Sequence, residues 1–369
     1  MSGFSLTRLI KILLFLFLLI AGLVYARPFL VPLTFAAIMA MLFLPLCSWL
    51  EARGVHKVIA ILLCIIIMLC SIAGVLWLLY WQVTDLAENA GKIQENFMKR
   101  LDQVRRFISS SIGISKQKQE ELIQNGQSSE TIGHTVSGIL SGLGELLTDF
   151  ILFVVYLFML LYYRLFLKRF VLMWVPQKDR EKTSAIIENC RHVAQQYLGG
   201  LIIMIGCLWV MYSIGFALVG VKSPIFFAIL CGLLEIVPFV GNLTGNAITM
   251  LMVIAQGGNF SMILGILLTY GAIQFIQTYL LEPLVVGAEV NINPLITIIS
   301  LVLGELIWGI PGMVLAIPVM GIIKIVCDNI EELRPFGFLL GRERTERKTH
   351  FADRLRKWRM RREVMLDDR

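Results

Sequence analysis

The sequence predicts an all-α, polytopic integral membrane protein with about eight transmembrane helices, two of them broken, and a helical extracytoplasmic insertion. Three observations lead there. Only 16% of the 369 residues are charged and 57% are apolar, where an average soluble domain carries roughly 25% charge. The apolar residues gather in eight long runs, each near the roughly 20 residues that a helix needs to cross a bilayer at about 1.5 Å per residue. The excess positive charge, +7 overall, is concentrated near one end, since residues 334–369 hold 12 Lys or Arg against 6 Asp or Glu.

The runs are Leu9–Ala26, Pro28–Leu50, Val58–Trp81, Leu146–Tyr163, Gly199–Gly220, Pro224–Ala255, Phe260–Leu281 and Pro294–Cys327. The first resembles a signal peptide in having Arg8 and Lys11 before its apolar core and Val24-Tyr25-Ala26 after it. Because a second run begins at Pro28, a retained helical hairpin is the simpler expectation. The sixth and eighth runs are too long for one straight span and contain Pro and Gly, so each is expected to be a broken helix. On this basis the chain divides into residues 1–81 (the first three helices), 82–145 (the insertion), 146–198 (the fourth helix and a cytoplasmic interfacial segment), 199–327 (the core) and 328–369 (a basic cytoplasmic tail).

Cytoplasmic loops collect Lys and Arg. Arg8 with Lys11, Arg53 with Lys57, the segment Arg164–Lys182 (6 basic, 2 acidic) and the tail therefore all read as cytoplasmic, and so do both termini, in a bacterial inner membrane. Eight spans place these segments on one side. The opposite side then receives Gln82–Glu145, with 7 basic and 8 acidic residues, and the acidic Glu282–Asn293 loop. A variant in which the sixth and eighth runs are re-entrant hairpins also keeps both termini inside, but moves Glu282–Asn293 to the cytoplasm; the spanning arrangement is preferred. The tail charge marks topology and contact with anionic lipid, not nucleic acid.

In the insertion, Leu86, Ala90, Ile93, Phe97, Leu101, Val104 and Ile108 recur at steps of three and four, an amphipathic helix. Its stripe packs either on the insertion's own second half or between subunits, and a homo-oligomer is expected. Arg164–Trp174 mixes basic and aromatic residues and reads as an interfacial helix. Six of the seven cysteines lie in apolar runs without metal or disulfide spacing, reading as small buried hydrophobes. Neither the four histidines nor the glycine-rich stretches form a zinc, triad or phosphate-loop pattern. No cofactor, metal or enzymatic activity is expected.

What remains is polarity inside lipid-depth segments, costing roughly 2.5–3.5 kcal/mol for an acid at a helix centre. The sixth run brings Glu235, Pro238, Gly241, Asn242, Thr244 and Asn246 together. The eighth repeats the theme with Glu305, Gly309, Pro311 and Gly312. Between them, Gln274, Thr278 and Glu282 fall on one helical face at four-residue spacing, with Gln277 beside them. Two Gly/Pro-interrupted runs, each with one Glu, suggest a transport path built from discontinuous helices. The same polar residues would otherwise serve only packing between helices.

At these residues the chain resembles the autoinducer-2 exporter family, bacterial and archaeal membrane proteins with about eight spans. The resemblance rests on Pro238-Phe239-Val240-Gly241, Glu282-Pro283, Gly287, Pro294-Leu295 and Leu315-Ala316-Ile317-Pro318. Asn242 and Asn293 depart from the residues common in the family and add amides near the path. The resemblance implies either export of a small signalling molecule or Na⁺(Li⁺)/H⁺ antiport. Three functions follow as expectations: a secondary transporter exporting a small polar solute such as autoinducer-2, using Asn242, Asn246, Gln274 and Gln277 to bind hydroxyls; a cation/proton antiporter using Glu235 or Glu305; and a membrane scaffold.

Overall fold

A computed structural model of the chain describes residues 6–88, 129–237, 240–286 and 292–342. These residues form helices α1 (Leu6–Tyr25), α2 (Arg27–Ala52), α3 (Lys57–Glu88), α4 (Ser129–Met173), α5 (Arg180–Val219), α6 (Pro224–Leu234), α7 (Val240–Ala255) and α8 (Phe260–Ile276). A π-helical stretch, Gln277–Val286, continues α8, and α9 (Pro294–Trp308), α10 (Ile310–Asn329) and α11 (Arg334–Leu340) follow. Among the described residues there is no strand, and six helical segments are long and apolar enough to cross a membrane. The chain is an all-α, multi-pass membrane protein. Of the amphipathic stripe, Leu86 falls in the last turn of α3 and Ala90 to Ile108 lie outside the described residues, as does most of the basic tail.

The distribution of polarity fits lipid as the outer solvent. Large apolar side chains point outward, Phe17 at 69% exposure and Leu268 at 66% among them, while Glu235, Asn242, Asn246, Thr249 and Gln277 are buried. Hydrocarbon tails are as apolar as leucine, so helices associate in lipid through close packing and polar contacts instead of water exclusion. One packed cluster joins α2, α3 and α4 through Ala36, Cys47, Cys64, Met68 and Leu157. The Cys47 and Cys64 sulfurs sit 3.1 Å apart as free thiols. A second cluster joins α5 to α6, α7 and α8 through Leu208, Tyr212, Phe216, Phe227 and Ile266. Proline placement explains one link between the clusters. Pro45 has no N–H to offer the carbonyl of Met41 one turn back, and Gln195 of α5 donates its Nε2 to that carbonyl at 2.6 Å.

The two broken runs fold back on themselves. In a continuous helix residues 231 and 245 would stand about 21 Å apart, and 304 and 312 about 12 Å. Instead a Cβ on Gly245 would lie 3.0 Å from the Cα of Cys231, and Cys231 Sγ is 3.7 Å from Thr249 Oγ1. Gly304 and Gly312 meet backbone to backbone. The sixth run is therefore hairpin 1 (α6–α7) and the eighth is hairpin 2 (α9–α10). Both ends of hairpin 1 are set by left-handed glycines, Gly220 (φ 84°) and Gly257 (φ 83°), which let the chain reverse after α5 and α7.

This corrects the side assigned to Glu282–Asn293. Asn293 N donates to Leu340 O at 2.8 Å, and Ile292 bridges Gly341. The acidic loop therefore ends beside the start of the basic tail, at the same end of the bundle. Charge counting missed this because a hairpin returns the chain to the side it left, whereas a broken span does not.

Candidate functional site

The tip of hairpin 1 collects the polar atoms. Five residues, 235–239, separate α6 from α7, and Pro238 with Phe239 lies outside the described residues. Glu235 stands at the end of α6, its backbone N–H still bonded to Cys231 O, and is 8% exposed. Its Oε1 accepts from Gln277 Nε2 at 3.0 Å, and the same amide nitrogen lies 3.9 Å from the sulfur of Met204 on α5. Gln277 is itself 3% exposed.

The first turns of α7 continue the network. Asn246 follows Asn242 by one helical turn, and its Nδ2 reaches Asn242 O at 3.0 Å and Asn242 Oδ1 at 3.1 Å. Tyr212 of α5 ties them to the neighbouring helix: its hydroxyl donates to Asn242 Oδ1 and accepts from Asn246 Nδ2, both at 3.3 Å. Asn242 Nδ2 donates to Gln274 Oε1, and Gln274 Nε2 passes the chain to Thr278 Oγ1 at 3.2 Å. A polar chain thus runs from α5, where it is buried, through α7 to the exposed Thr278 beyond α8, and Glu235 with Gln277 forms a pair at the hairpin tip.

Several buried atoms near the tip have no hydrogen-bond partner in the protein. Three are oxygens that accept: Glu235 Oε2, Gln277 Oε1 and Asn246 Oδ1. A fourth is a donor, the indole Nε1 of Trp209 on α5, whose ring lies against Gly232. Leaving a buried polar atom unpaired costs roughly 1–3 kcal/mol. A ligand bearing both hydrogen-bond donors and an acceptor would satisfy such a set, and a cation would satisfy its oxygens. Among the described residues no group of three His, Cys, Asp or Glu is placed to hold a metal ion.

The structure therefore brings together Glu235, Asn242, Asn246, Gln274 and Gln277, with Gly241 packed against the Leu234 carbonyl where the hairpin closes. Of the other expected residues, Glu282 is exposed and makes no hydrogen bond to the cluster among the described residues, yet it lies near enough to Glu235 for the two carboxyl groups to act on each other. Gln277 shares the buried face of α8 with Ile266 and Ile273, seven and four residues apart along the helix, while Thr278 and Glu282 fall on the exposed side, and from Gln277 onward the turns widen to i→i+5 bonding. Glu305 is also exposed and belongs to hairpin 2, which packs on α5, α2 and α1. Gly309 and Gly312 shape that second hairpin. Asn293 is no part of the cluster; its side-chain oxygen caps α9 by accepting from Leu295 N at 3.0 Å.

Sequence reasoning missed Tyr212, Trp209 and Met204. Tyr212 carried a usable signal, since a phenol in an apolar run needs a partner for its hydroxyl when buried.

Comparison with known proteins identifies the family. The model of the AI-2E family transporters matches residues 13–332. Over 315 residues the chain is 24% identical to YrrI of Bacillus subtilis, covering 82% of this chain and 87% of that one, and YrrI is named as a candidate transport protein. YhhT of Escherichia coli K12, named in the same way, is 23% identical over 336 residues, covering 88% of this chain and 92% of its own length.

Proposed function

We propose, from the premise that this chain belongs to the AI-2E transporter family, that it is a secondary transporter moving a small polar solute past the tip of hairpin 1, in the export direction. The observation that carries this reading is the mixed set of unpartnered buried atoms there, Glu235 Oε2, Gln277 Oε1, Asn246 Oδ1 and Trp209 Nε1. A hydroxyl offers both a donor and an acceptor, so a polyhydroxylated solute such as autoinducer-2 or a related sugar-derived compound matches it. Glu235 and Gln277 bind, and the Tyr212–Asn242–Asn246–Gln274 chain holds their scaffold in place. Deletion of the gene should lower extracellular solute, with recovery on complementation. Proteoliposomes holding the purified protein should show flux of the labelled solute, and absence of flux there would remove this reading.

A second reading, Na⁺(Li⁺)/H⁺ antiport, is favoured by one detail of the same site: three of its unpartnered atoms are oxygens and one is a carboxylate, the donor type that hard cations prefer. In that case Glu235 exchanges a proton for the cation. Proton movement in proteoliposomes that depends on Na⁺ and disappears in Glu235→Gln would select it over solute export.

A further inference from the structure

Away from hairpin 1, the turn between α2 and α3 and the last turns of α4 meet at one end of the bundle. Arg164 pairs with Glu51, and Lys57 donates its Nζ to the carbonyl of Tyr162 at 2.5 Å while lying 4.6 Å from that ring's centroid. The two segments together, 49–57 and 162–174, hold five Lys or Arg and one acid. That acid, Glu51, already has its partner. Arg53 carries its guanidinium over the Trp49 ring, 3.7 Å from the centroid, a contact that uses none of its N–H donors. Arg164 Nη1 is unpaired as well.

Aromatic side chains surround these cations. Beyond Arg164, helix α4 runs on to Met173 with its two faces differing in kind. Arg164 and Lys168, four apart, share the face that meets Glu51, and Arg169 flanks it. Phe166, Phe170 and Trp174, also four apart, lie on the opposite face at 65%, 52% and 79% exposure. Trp49 and Tyr163 are each close to half exposed. The basic cleft has Trp49 and Tyr163 at its edge, while the rings on the far face of α4 are of the kind that favour the membrane–water boundary, and the cleft borders the exposed apolar surface of α3 at Ile59, Leu62 and Leu63.

We infer that the cleft between the α2–α3 turn and the end of α4 binds the headgroup of an anionic phospholipid, whose phosphate faces Arg53, Lys168 and Arg169 and whose acyl chains lie along α3. Charge complementarity selects the occupant. A surplus of four positive charges suits a headgroup with net negative charge, whereas a zwitterionic lipid brings a cation of its own into a cleft already rich in cations. Guanidinium groups offer paired N–H donors to phosphate oxygens, and basic residues near an anionic leaflet each add to attraction at its surface.

The test is thermal unfolding of the purified full chain in detergent, with phosphatidylglycerol, phosphatidylcholine or inorganic phosphate added, alongside native mass spectrometry of the lipid it retains. Phosphatidylglycerol should raise the midpoint by about 5 °C and be retained, with a much smaller effect from phosphatidylcholine. The Arg53→Gln, Lys168→Gln, Arg169→Gln triple variant should lose most of that rise. Arg344→Gln, Arg347→Gln, Lys348→Gln, which removes the same charge from the tail, should keep it. If the triple variant is too unstable to purify, Lys168→Gln alone should weaken the response. Equal responses to the two lipids, an undiminished response in the cleft variant, or a full response to inorganic phosphate would each overturn the lipid assignment.

Discussion

The chain interrupts two apolar runs with the same ingredients, a glutamate, glycines and a proline, and folds both into helical hairpins that flank α5. Their tips differ. Hairpin 1 turns over five residues and hides Glu235 against α5 and the π-helical stretch, which supplies Gln277. Hairpin 2 turns at one residue, Gly309, whose φ of 69° and ψ of −145° are open only to glycine. Its glutamate points outward, and its tip is held by Trp308, whose indole donates to Leu23 O of α1 at 3.0 Å. The lesson is that an acid in an interrupted run marks a site only where another element brings polar atoms to the tip. Hairpin 1 has such a neighbour; hairpin 2 has a brace.

The largest effect should come from crowding the brace. Gly304 and Gly312 place the backbones of α9 and α10 in direct contact, and a side chain on either would overlap the other's carbonyl. Gly312→Leu should therefore cost about 3 kcal/mol or more and sharply lower the yield of monodisperse protein on size exclusion. A well-folded Gly312→Leu protein would show that hairpin 2 is not held by backbone contact.

Next is the contrast between the two acids. Glu235→Gln keeps the volume but replaces the carboxyl with an amide that cannot ionise, and should lower transport roughly 100-fold, the scale of losing one charged contact to a ligand. Glu305→Gln should stay close to wild type, since its side chain is exposed. Proteoliposome flux at matched protein levels measures both. Equal losses in the two variants would break the comparison and return hairpin 2 to the path.

Much of this was legible in the sequence. Run lengths and low charge gave the membrane fold, and Pro with Gly inside the long sixth and eighth runs marked both as broken. The family resemblance rested on Pro238–Gly241 and Glu282-Pro283. Three things were not legible, each for a physical reason. Whether a broken run crosses or returns depends on contacts such as Cys231 with Gly245, fourteen residues apart, which local pattern does not encode. That Gln277 meets Glu235 depends on where the tip of hairpin 1 packs against α8 and its continuation, a contact 42 residues apart that local pattern does not encode. Tyr212 reads as one more aromatic in an apolar run until α7 is placed beside it.

A smaller effect should follow from loosening hairpin 1 along its shaft. Tyr212→Phe removes a hydroxyl that bonds both Asn242 and Asn246. The expected cost is about 1–2 kcal/mol, the range for buried polar groups that lose a partner, seen as a fall of about 4 °C in the unfolding midpoint. Transport should drop as well, because the network holds α7 to α5 and to Gln274, which stands three residues before Gln277 on the same helical stretch. A stable Tyr212→Phe protein with normal flux would detach the amide chain from function.

The smallest effect tests the brace. Trp308→Phe keeps an aromatic ring in place but deletes the N–H that reaches Leu23, so only one neutral hydrogen bond is lost. Such a bond contributes about 0.5–1.5 kcal/mol, which should appear as a fall of about 2 °C in the midpoint. Flux should remain near wild type, because Trp308 bonds to α1 and shares no hydrogen bond with the cluster at Glu235 among the described residues. The informative quantity is the ratio of the two readouts. In Tyr212→Phe a modest thermal change should accompany a clear loss of flux, whereas in Trp308→Phe a thermal change should stand nearly alone. If Trp308→Phe instead loses flux as Glu235→Gln does while its midpoint is unchanged, the hairpin 2 tip takes part in transport and the division between site and brace fails.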